Sequence, residues 1–204
     1  MVETAYEAGT AFGPLSASRR RFLQLSGGGL AIAGLALAMD RPAQAAGLVK
    51  VDMEIVTGKM IGRPGWPQFK PGNFSVPANR LIEVTVRCYD DGNAQIPGGY
   101  NKVGGAAGKT MRLIKGTPKT FAANAGTVVH AVPVKDVAHT FTVNGQDFFM
   151  NVPMPVSSTV VFRFKSPAAG KYPWQCMAAC GTGAGGWAGP MMTDGWMQGV
   201  MTVV

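Results

Sequence analysis

The chain ends with the sequence GKYPWQCMAACGTGAGGWAGPMMTDGWMQGVMTVV, residues 170–204. Residues 171–176 and 196–204 have the short, aromatic and β-branched character of strands. The glycine-rich stretch between them is typical of a long loop. The pattern therefore puts one cysteine, Cys176, at the end of the penultimate strand and a second, Cys180, just inside the loop.

Earlier segments continue this all-β pattern. Val49–Val56 alternates polar and apolar residues, as a half-buried strand does. No segment after residue 46 shows sustained helical periodicity, and the glycine-rich stretch 93–126 is predicted to be a long excursion with one or two short strands. About eight short strands separated by turns predict a β-sandwich or barrel. The other predicted strands are 74–76, 81–87, 127–132, 138–143 and 159–164.

The N-terminus has the features of an export signal. Residues 18–24 read SRRRFLQ, which fits the twin-arginine pattern, and a weakly apolar stretch follows at 27–39. This stretch is too short to span a bilayer as an ordinary helix. An Ala-Gln-Ala cleavage site follows at 43–45. We therefore expect a disordered twin-arginine signal peptide at 1–45, a single domain at 46–204, and a periplasmic or otherwise extracytoplasmic location.

Charge and motifs narrow the class of protein. The formal charge is +8, from 19 Lys and Arg against 11 Asp and Glu. A basic surface would steer an acidic redox partner or approach an anionic membrane surface. No basic-aromatic motif indicates nucleic-acid binding. No phosphate-binding loop, G-x-S-x-G serine or H-E-x-x-H helix is present, so the sequence does not predict an enzyme.

Three residue types that bind soft metals recur at strand ends. His139 lies in a predicted strand, Cys176 ends another, and Met197 stands at the head of the last one. Imidazole, thiolate and thioether together suit copper that cycles between Cu(I) and Cu(II). These three residues are therefore the first candidates for a metal site.

The chain resembles the cupredoxin family in several segments. The resembling segments are FSV at 74–76, IEVTV at 82–86, VAHTFTV at 137–143, GKYPWQC at 170–176 and GWMQGVMTV at 195–203. The last two of these segments are similar to the family's G-x-Y-x-x-x-C and G-M-x-G-x-x-x-V ending.

The resemblance implies a Greek-key sandwich with His139 and Cys176 as copper ligands and Met197 as the axial ligand. It also implies a one-electron carrier that serves a redox protein or a respiratory complex. The loop from Cys176 to Met197 departs from the family, because it contains no histidine. Cys176 and Cys180 have the Cys-x3-Cys spacing of binuclear CuA sites. Ala184 and Trp187 stand where that pattern needs histidine and methionine, so one copper ion is favoured over two.

Several residues are candidates for the ligand that the loop lacks. His130 lies nine residues before His139, across a short predicted turn that would form a hairpin. Met191, next to Met192, and Cys180 are the others. An extra thioether or thiolate favours Cu(I), so a Cu(I) chaperone or store is an alternative function, and a metal-free docking domain is another.

Cys180 also has alternative roles as a disulfide partner. Cys88 ends a predicted strand near the expected ligand end, and a Cys88–Cys180 disulfide would leave Cys176 free. A Cys176–Cys180 disulfide is possible for a tight loop.

Overall fold

The structure is a computed structural model that describes residues 47–116, 118, 125–183 and 185–204. The predicted signal peptide at 1–45 lies outside the described residues. Within the described part of the chain, no helix has the length and apolar character needed to cross a membrane.

The described residues form two β-sheets. The first has the strand order β2-β1-β4-β9-β5-β6 and the second β3-β11-β10-β7-β8. The strands are β1 Val49–Val56, β2 Gln68–Lys70, β3 Phe74–Val76, β4 Leu81–Cys88, β5 Met111–Lys115, β6 Thr127–Val129, β7 Val137–Asn144, β8 Phe149–Pro155, β9 Ser158–Lys165, β10 Gly170–Gln175 and β11 Gln198–Val203. Short 3-10 helices cover Gly58–Ile61, Ala107–Lys109, Val134–Asp136 and Pro190–Met192.

This architecture confirms the predicted all-β sandwich. Consecutive strands repeatedly change sheet, as at β3 to β4, β8 to β9 and β9 to β10. β1 pairs with β4, and β3 with β11, in parallel, while the other pairings are antiparallel. Such crossings are those of a Greek-key sandwich, in which residues far apart in sequence meet at one end.

Two strands were not predicted. β2 lies in a Pro- and Gly-rich stretch at 62–72 that was expected to be a loop, and β8 contains Pro153 and Pro155. Both are edge strands with one neighbour each. Because an edge strand does not need every main-chain N–H for its sheet, proline is tolerated there. Sequence signals that exclude proline from strands therefore miss both.

The core is aromatic at its centre. The ring of Phe141 in β7 lies between the sheets, 5.0 Å from Trp174 and 6.1 Å from Phe162, centroid to centroid. Phe69 adds a ring 4.9 Å from that of Trp174. These tilted and edge-on contacts are favourable beyond their buried area. The cluster ties β7 and β10, which carry metal-site residues, to the opposite sheet.

Replacing Phe141 by alanine is expected to lower the free energy of unfolding by about 3–5 kcal/mol, because it opens a cavity among four rings. Urea unfolding followed by circular dichroism measures this loss. Phe149→Ala removes the same ring from β8, where it is 48% exposed, and is expected to cost much less. Equal losses in the two variants would show that Phe141 does not occupy the centre of the core.

Candidate metal centre

Three ligand atoms converge at one end of the sandwich. A His139 ring nitrogen and the sulfurs of Cys176 and Cys180 all lie within 4.8 Å of one another, and all three residues are buried. His139 Nδ1 and the Cys180 sulfur each lie 3.9 Å from the Cys176 sulfur. The three atoms therefore form a compact triangle.

Strand pairing brings these residues together. β7 and β10 are antiparallel neighbours, with Gln175 opposite Thr142, so the first part of β7 extends past the end of β10 towards the residues that follow Gln175. The register of β7 against β8 shifts between Val137 and His139, which marks a bulge or irregularity at Ala138, directly before the histidine. Bulges redirect a side chain and are common beside functional sites.

Main-chain hydrogen bonds fix the Cys176 sulfur. The Cys176 N–H donates to the Met197 carbonyl at 2.8 Å and closes the base of the loop. The Thr140 N–H donates to the Cys176 sulfur at 3.4 Å. The Met177 N–H donates to the Thr140 hydroxyl at 2.8 Å, which holds the chain just after the cysteine. The sulfur is thus placed by groups that are present with or without a metal.

The glycines of the loop allow its main chain to pack against itself. Gly181 has a φ of +104°, and a Cβ there would collide with the Gly186 carbonyl. A Cβ on Gly186 would in turn collide with the Thr182 carbonyl. The loop surface presents Trp187, 70% exposed, and Met192, 72% exposed. The loop is therefore compact inside and apolar outside.

An arginine stack lies beside this loop. The Arg63 guanidinium lies 3.5 Å from the ring centroid of Trp66 and 4.6 Å from that of Trp196. The two indoles meet edge-on with centroids 5.2 Å apart. Such cation–π contacts are favourable. They fasten the segment before β2 to the residue that precedes Met197.

Asp90 is the site residue that the sequence analysis did not identify. Its Oδ2 lies 3.0 Å from His139 Nε2, on the side of the ring away from Cys176. The Asp90–Asp91 pair resembles a solvated turn in sequence, and Asp90 is 22% exposed while His139 is 1% exposed. The one feature of the sequence that could indicate Asp90 is its position, two residues after Cys88, the last residue of β4.

These contacts shift the pKa values of the group. Burial opposes a charge on His139, but hydrogen bonds to Asp90 and Cys176 outweigh it and raise the pKa from 6.5 to about 9. Burial likewise opposes the Cys176 thiolate, but hydrogen bonds from Cys180 and His139 lower its pKa well below 9.0. The pKa of Asp90 is lowered despite its burial, since His139 hydrogen-bonds to it and attracts its charge. In the metal-free protein these shifts favour the charged forms of Asp90, His139 and Cys176, which alternate in sign.

The other two cysteines remain neutral thiols. The neighbouring Cys176 thiolate, then burial, raises the pKa of Cys180 far above its ordinary value. Burial raises the pKa of Cys88 to about 12. All three cysteines are free, so neither the Cys88–Cys180 nor the Cys176–Cys180 disulfide is formed. The Cys88 thiol points to the Asp90 carbonyl at 3.8 Å, while Cys180 is held against Cys176.

Two of the remaining predicted ligands are methionines, Met197 and Met191. Met197 is fully buried, and its main chain is bonded to both Cys176 and Pro190. Met191 packs partly buried against the core, and its carbonyl accepts from the Gln175 side chain. Both methionines therefore lie in a segment whose main-chain carbonyls are hydrogen-bonded to Gln175 and Cys176.

His130 is not part of the group. It is exposed, and its Nδ1 lies 3.0 Å from the Lys109 carbonyl. The predicted hairpin with His139 is wrong, because β6 is an edge of the first sheet and β7 belongs to the second. The connection between them crosses between sheets, which separates the two histidines.

Comparisons with known proteins find similarity in structure alone. No protein-family model matches the chain, and no curated protein matches it in sequence. The chain is similar to auracyanin from Roseiflexus castenholzii, at 17% identity over 78% of this chain and 99% of that one, with a TM-score of 0.36. It is also similar to auracyanin A, a "blue" copper protein from Chloroflexus aurantiacus, at 11% identity over 78% of this chain and 100% of that one, with a TM-score of 0.38. The similarity to rusticyanin from Thiobacillus ferrooxidans is at 16% identity over 77% of each chain, with a TM-score of 0.34. The functional assignment therefore rests on the side chains of the site.

The donor set fits copper. One imidazole and two cysteine sulfurs form the group, and the oxygen donors that Mg²⁺ and Ca²⁺ prefer are not part of it. Zinc also accepts cysteine and histidine. A thioether is a ligand characteristic of copper, and Met197, which follows the loop that begins at Cys176, is fully buried. His139, Cys176 and Cys180 are the residues that would hold the ion.

The metal-free protein is expected to hold one thiolate per chain at neutral pH, on Cys176, because His139 and Cys180 stabilise that charge. Thiolate absorption in the ultraviolet measures it. The signal should disappear as the pH falls through the lowered pKa of Cys176, and Cys176→Ser should remove it at neutral pH. Cys88→Ala should keep it, because Cys88 is a neutral thiol until about pH 12. An unchanged signal in Cys176→Ser would contradict the assignment.

Proposed function

We propose that this protein binds one copper ion at the site formed by His139, Cys176 and Cys180 and carries single electrons outside the cytoplasm. The observation that carries this proposal is the convergence of one imidazole and two cysteine sulfurs within 4.8 Å in a buried place. Sulfur and imidazole donors support both Cu(I) and Cu(II). Copper supplies the one-electron chemistry, and the protein supplies geometry, dielectric and access.

The protein residues keep the site rigid. His139 lies on β7 and Cys176 directly follows β10, and the two strands are neighbours in one sheet. The hydrogen bond from the Cys176 N–H to the Met197 carbonyl extends the pairing of β10 with β11, a third strand of the same sheet, by one residue. Because these bonds do not depend on the metal, little rearrangement accompanies a change in its charge. Complete burial of Cys176 keeps water away from the sulfur.

Met197 is the proposed weak fourth ligand, in keeping with its burial and with the resemblance of the C-terminal segment to cupredoxins. Met191, which is partly buried against the core, is the alternative thioether. A binuclear site of CuA type is less favoured, because Cys176 and Cys180 are present but the loop has no histidine. The proposed centre is therefore mononuclear, with more sulfur than an ordinary blue-copper site.

Cys180 supports a second candidate function. Its sulfur lies 3.9 Å from that of Cys176, so the site offers two soft sulfur donors before any thioether is counted. Sulfur-rich sites favour Cu(I) over Cu(II). A protein that stores Cu(I) or delivers it to another protein would use the same residues, and Cys180 would be the donor that favours Cu(I) over Cu(II).

Export and partners follow from the sequence features. The signal peptide proposed for residues 1–45 would release residues 46–204 as a single domain in the periplasm. The formal charge of residues 46–204 is +7, from 15 Lys and Arg against 8 Asp and Glu, which favours an acidic redox protein, or a respiratory complex at a membrane surface, as the partner. Electrostatic attraction of this kind speeds encounter and weakens with salt.

Copper binding by residues 46–204 should require His139 and not His130. His139→Ala is expected to abolish the visible charge-transfer band and stoichiometric binding, because the group loses its only imidazole. His130→Ala is the matched control, since this residue is exposed and outside the group. Metal content and the visible spectrum after addition of Cu(II) measure both. Copper bound equally by both variants would exclude the proposed site, and no binding by the unsubstituted protein would favour a metal-free role.

Cys180→Ser distinguishes the two candidate functions. For an electron carrier, the variant is expected to keep a coloured Cu(II) form that depends on Cys176. For a Cu(I) store, the unsubstituted protein should bind Cu(I) tightly without colour, and Cys180→Ser should lose most of that affinity. Competition with a Cu(I) chelator and redox titration measure these outcomes. Cys176→Ser should abolish binding in either case, and a coloured Cys176→Ser variant would contradict both.

A further inference from the structure

Asp90 touches the metal site without belonging to its group of donors. Its Oδ2 contacts His139 Nε2 at 3.0 Å, while the donor group consists of His139, Cys176 and Cys180. The carboxylate and the Cys176 sulfur therefore face different nitrogens of one imidazole ring. This arrangement gives the two ring nitrogens separate tasks.

The structure holds Asp90 in place independently of the histidine. Its Oδ1 accepts a hydrogen bond from the Gly92 N–H at 3.0 Å. Its main-chain carbonyl accepts from the Ser157 N–H at 2.8 Å, in the turn before β9. A residue held by hydrogen bonds to both its side chain and its main chain is a built hydrogen-bond partner and not a mobile surface charge.

The ionised carboxylate accepts hydrogen bonds and donates none. If a metal ion replaces the Nδ1 proton of the imidazolium, the ring keeps one proton, and contact with Asp90 holds that proton on Nε2. Nδ1 is the nitrogen that faces the Cys176 sulfur, at 3.9 Å. The ring is thus set with its donor atom turned to the place where the sulfurs converge.

Building on the proposed copper site, we propose that Asp90 is a positioning residue: its carboxylate holds the proton on His139 Nε2 and turns the Nδ1 lone pair to the ion. A carboxylate partner also makes the imidazole a stronger donor. A stronger, more negative donor stabilises Cu(II) more than Cu(I). Asp90 therefore lowers the reduction potential of the site without touching the metal.

The same carboxylate shields the ring from solvent. Asp90 lies on the wall of an open cleft of about 380 Å³ with Lys59, Tyr89 and Thr182. The His139 side chain behind it is 1% exposed and that of Asp90 is 22% exposed. The Nε2 proton therefore lies against the Asp90 carboxylate, and its exchange with water reports on that contact.

The test compares Asp90→Asn and Asp90→Ala with Asp91→Asn, which changes a neighbouring exposed carboxylate in the same cleft. Loss of the charged partner is expected to weaken Cu(II) binding about 10- to 100-fold. Cu(I) binding should weaken less, so the reduction potential should rise. Chelator competition with each copper ion and redox titration give these values. Asp91→Asn should match the unsubstituted protein in all three.

A structural readout separates positioning from general destabilisation. In the diamagnetic Cu(I) protein, long-range ¹H–¹⁵N correlation spectra should show metal-bound Nδ1 and a slowly exchanging proton on Nε2. Asp90→Ala should lose that slow exchange, and Asp90→Asn, which preserves the side-chain shape, carries the test if the alanine variant does not fold. Thermal unfolding of each variant monitors stability.

The outcomes discriminate between the two proposals. If the unsubstituted protein binds no copper, the proposed function fails and this inference fails with it. If it binds copper and both Asp90 variants keep its affinities, potential and Nε2 exchange rate, the copper site remains and the role of Asp90 is refuted. Weaker Cu(II) binding with a raised potential in the Asp90 variants alone supports the inference.

Discussion

The pairing of β7 with β10 is the constraint on which the metal end depends. It places residues from two distant parts of the chain side by side, with Gln175 opposite Thr142. His139 and Cys176 follow from that register, since each lies just beyond the paired residues. The aromatic cluster around Phe141 and Trp174 secures both strands against the other sheet. The site is thus a product of the core as much as of the loop.

The charges of the group depend on one another in the same way. An isolated imidazolium or thiolate in this place would be strongly disfavoured by burial. Together, the Asp90 carboxylate, the His139 ring and the Cys176 sulfur alternate in sign, and each stabilises the next. Removing one member of such a series leaves its neighbour uncompensated. A bound cation beside Cys176 would take over part of the role that the imidazolium proton has in the metal-free protein.

The sequence predicted the fold class and named His139, Cys176 and Cys180 as candidate ligands, because strand periodicity, strand ends and cysteine spacing are local signals. β1, β4, β7, β9, β10 and β11 follow from alternation and β-branched residues. β8 could not be predicted that way, because its prolines are compatible only with an edge position, which is a property of the assembled sheet. The contact of Cys180 with Cys176 follows from their spacing. Asp90 instead follows a strand of the first sheet and contacts His139 on a strand of the second. The error over His130 has the same cause: sequence distance indicated a hairpin, and the chain instead crosses between sheets.

The self-packing of the loop has a consequence for how this surface can change. Gly181 and Gly186 shape the loop through main-chain contacts, and this shape does not depend on what Trp187 or Met192 contribute outside. The outward side chains are therefore free to diversify under selection for recognition, while two glycines preserve the architecture beneath. Metal binding and recognition of a partner could therefore vary independently within one short segment.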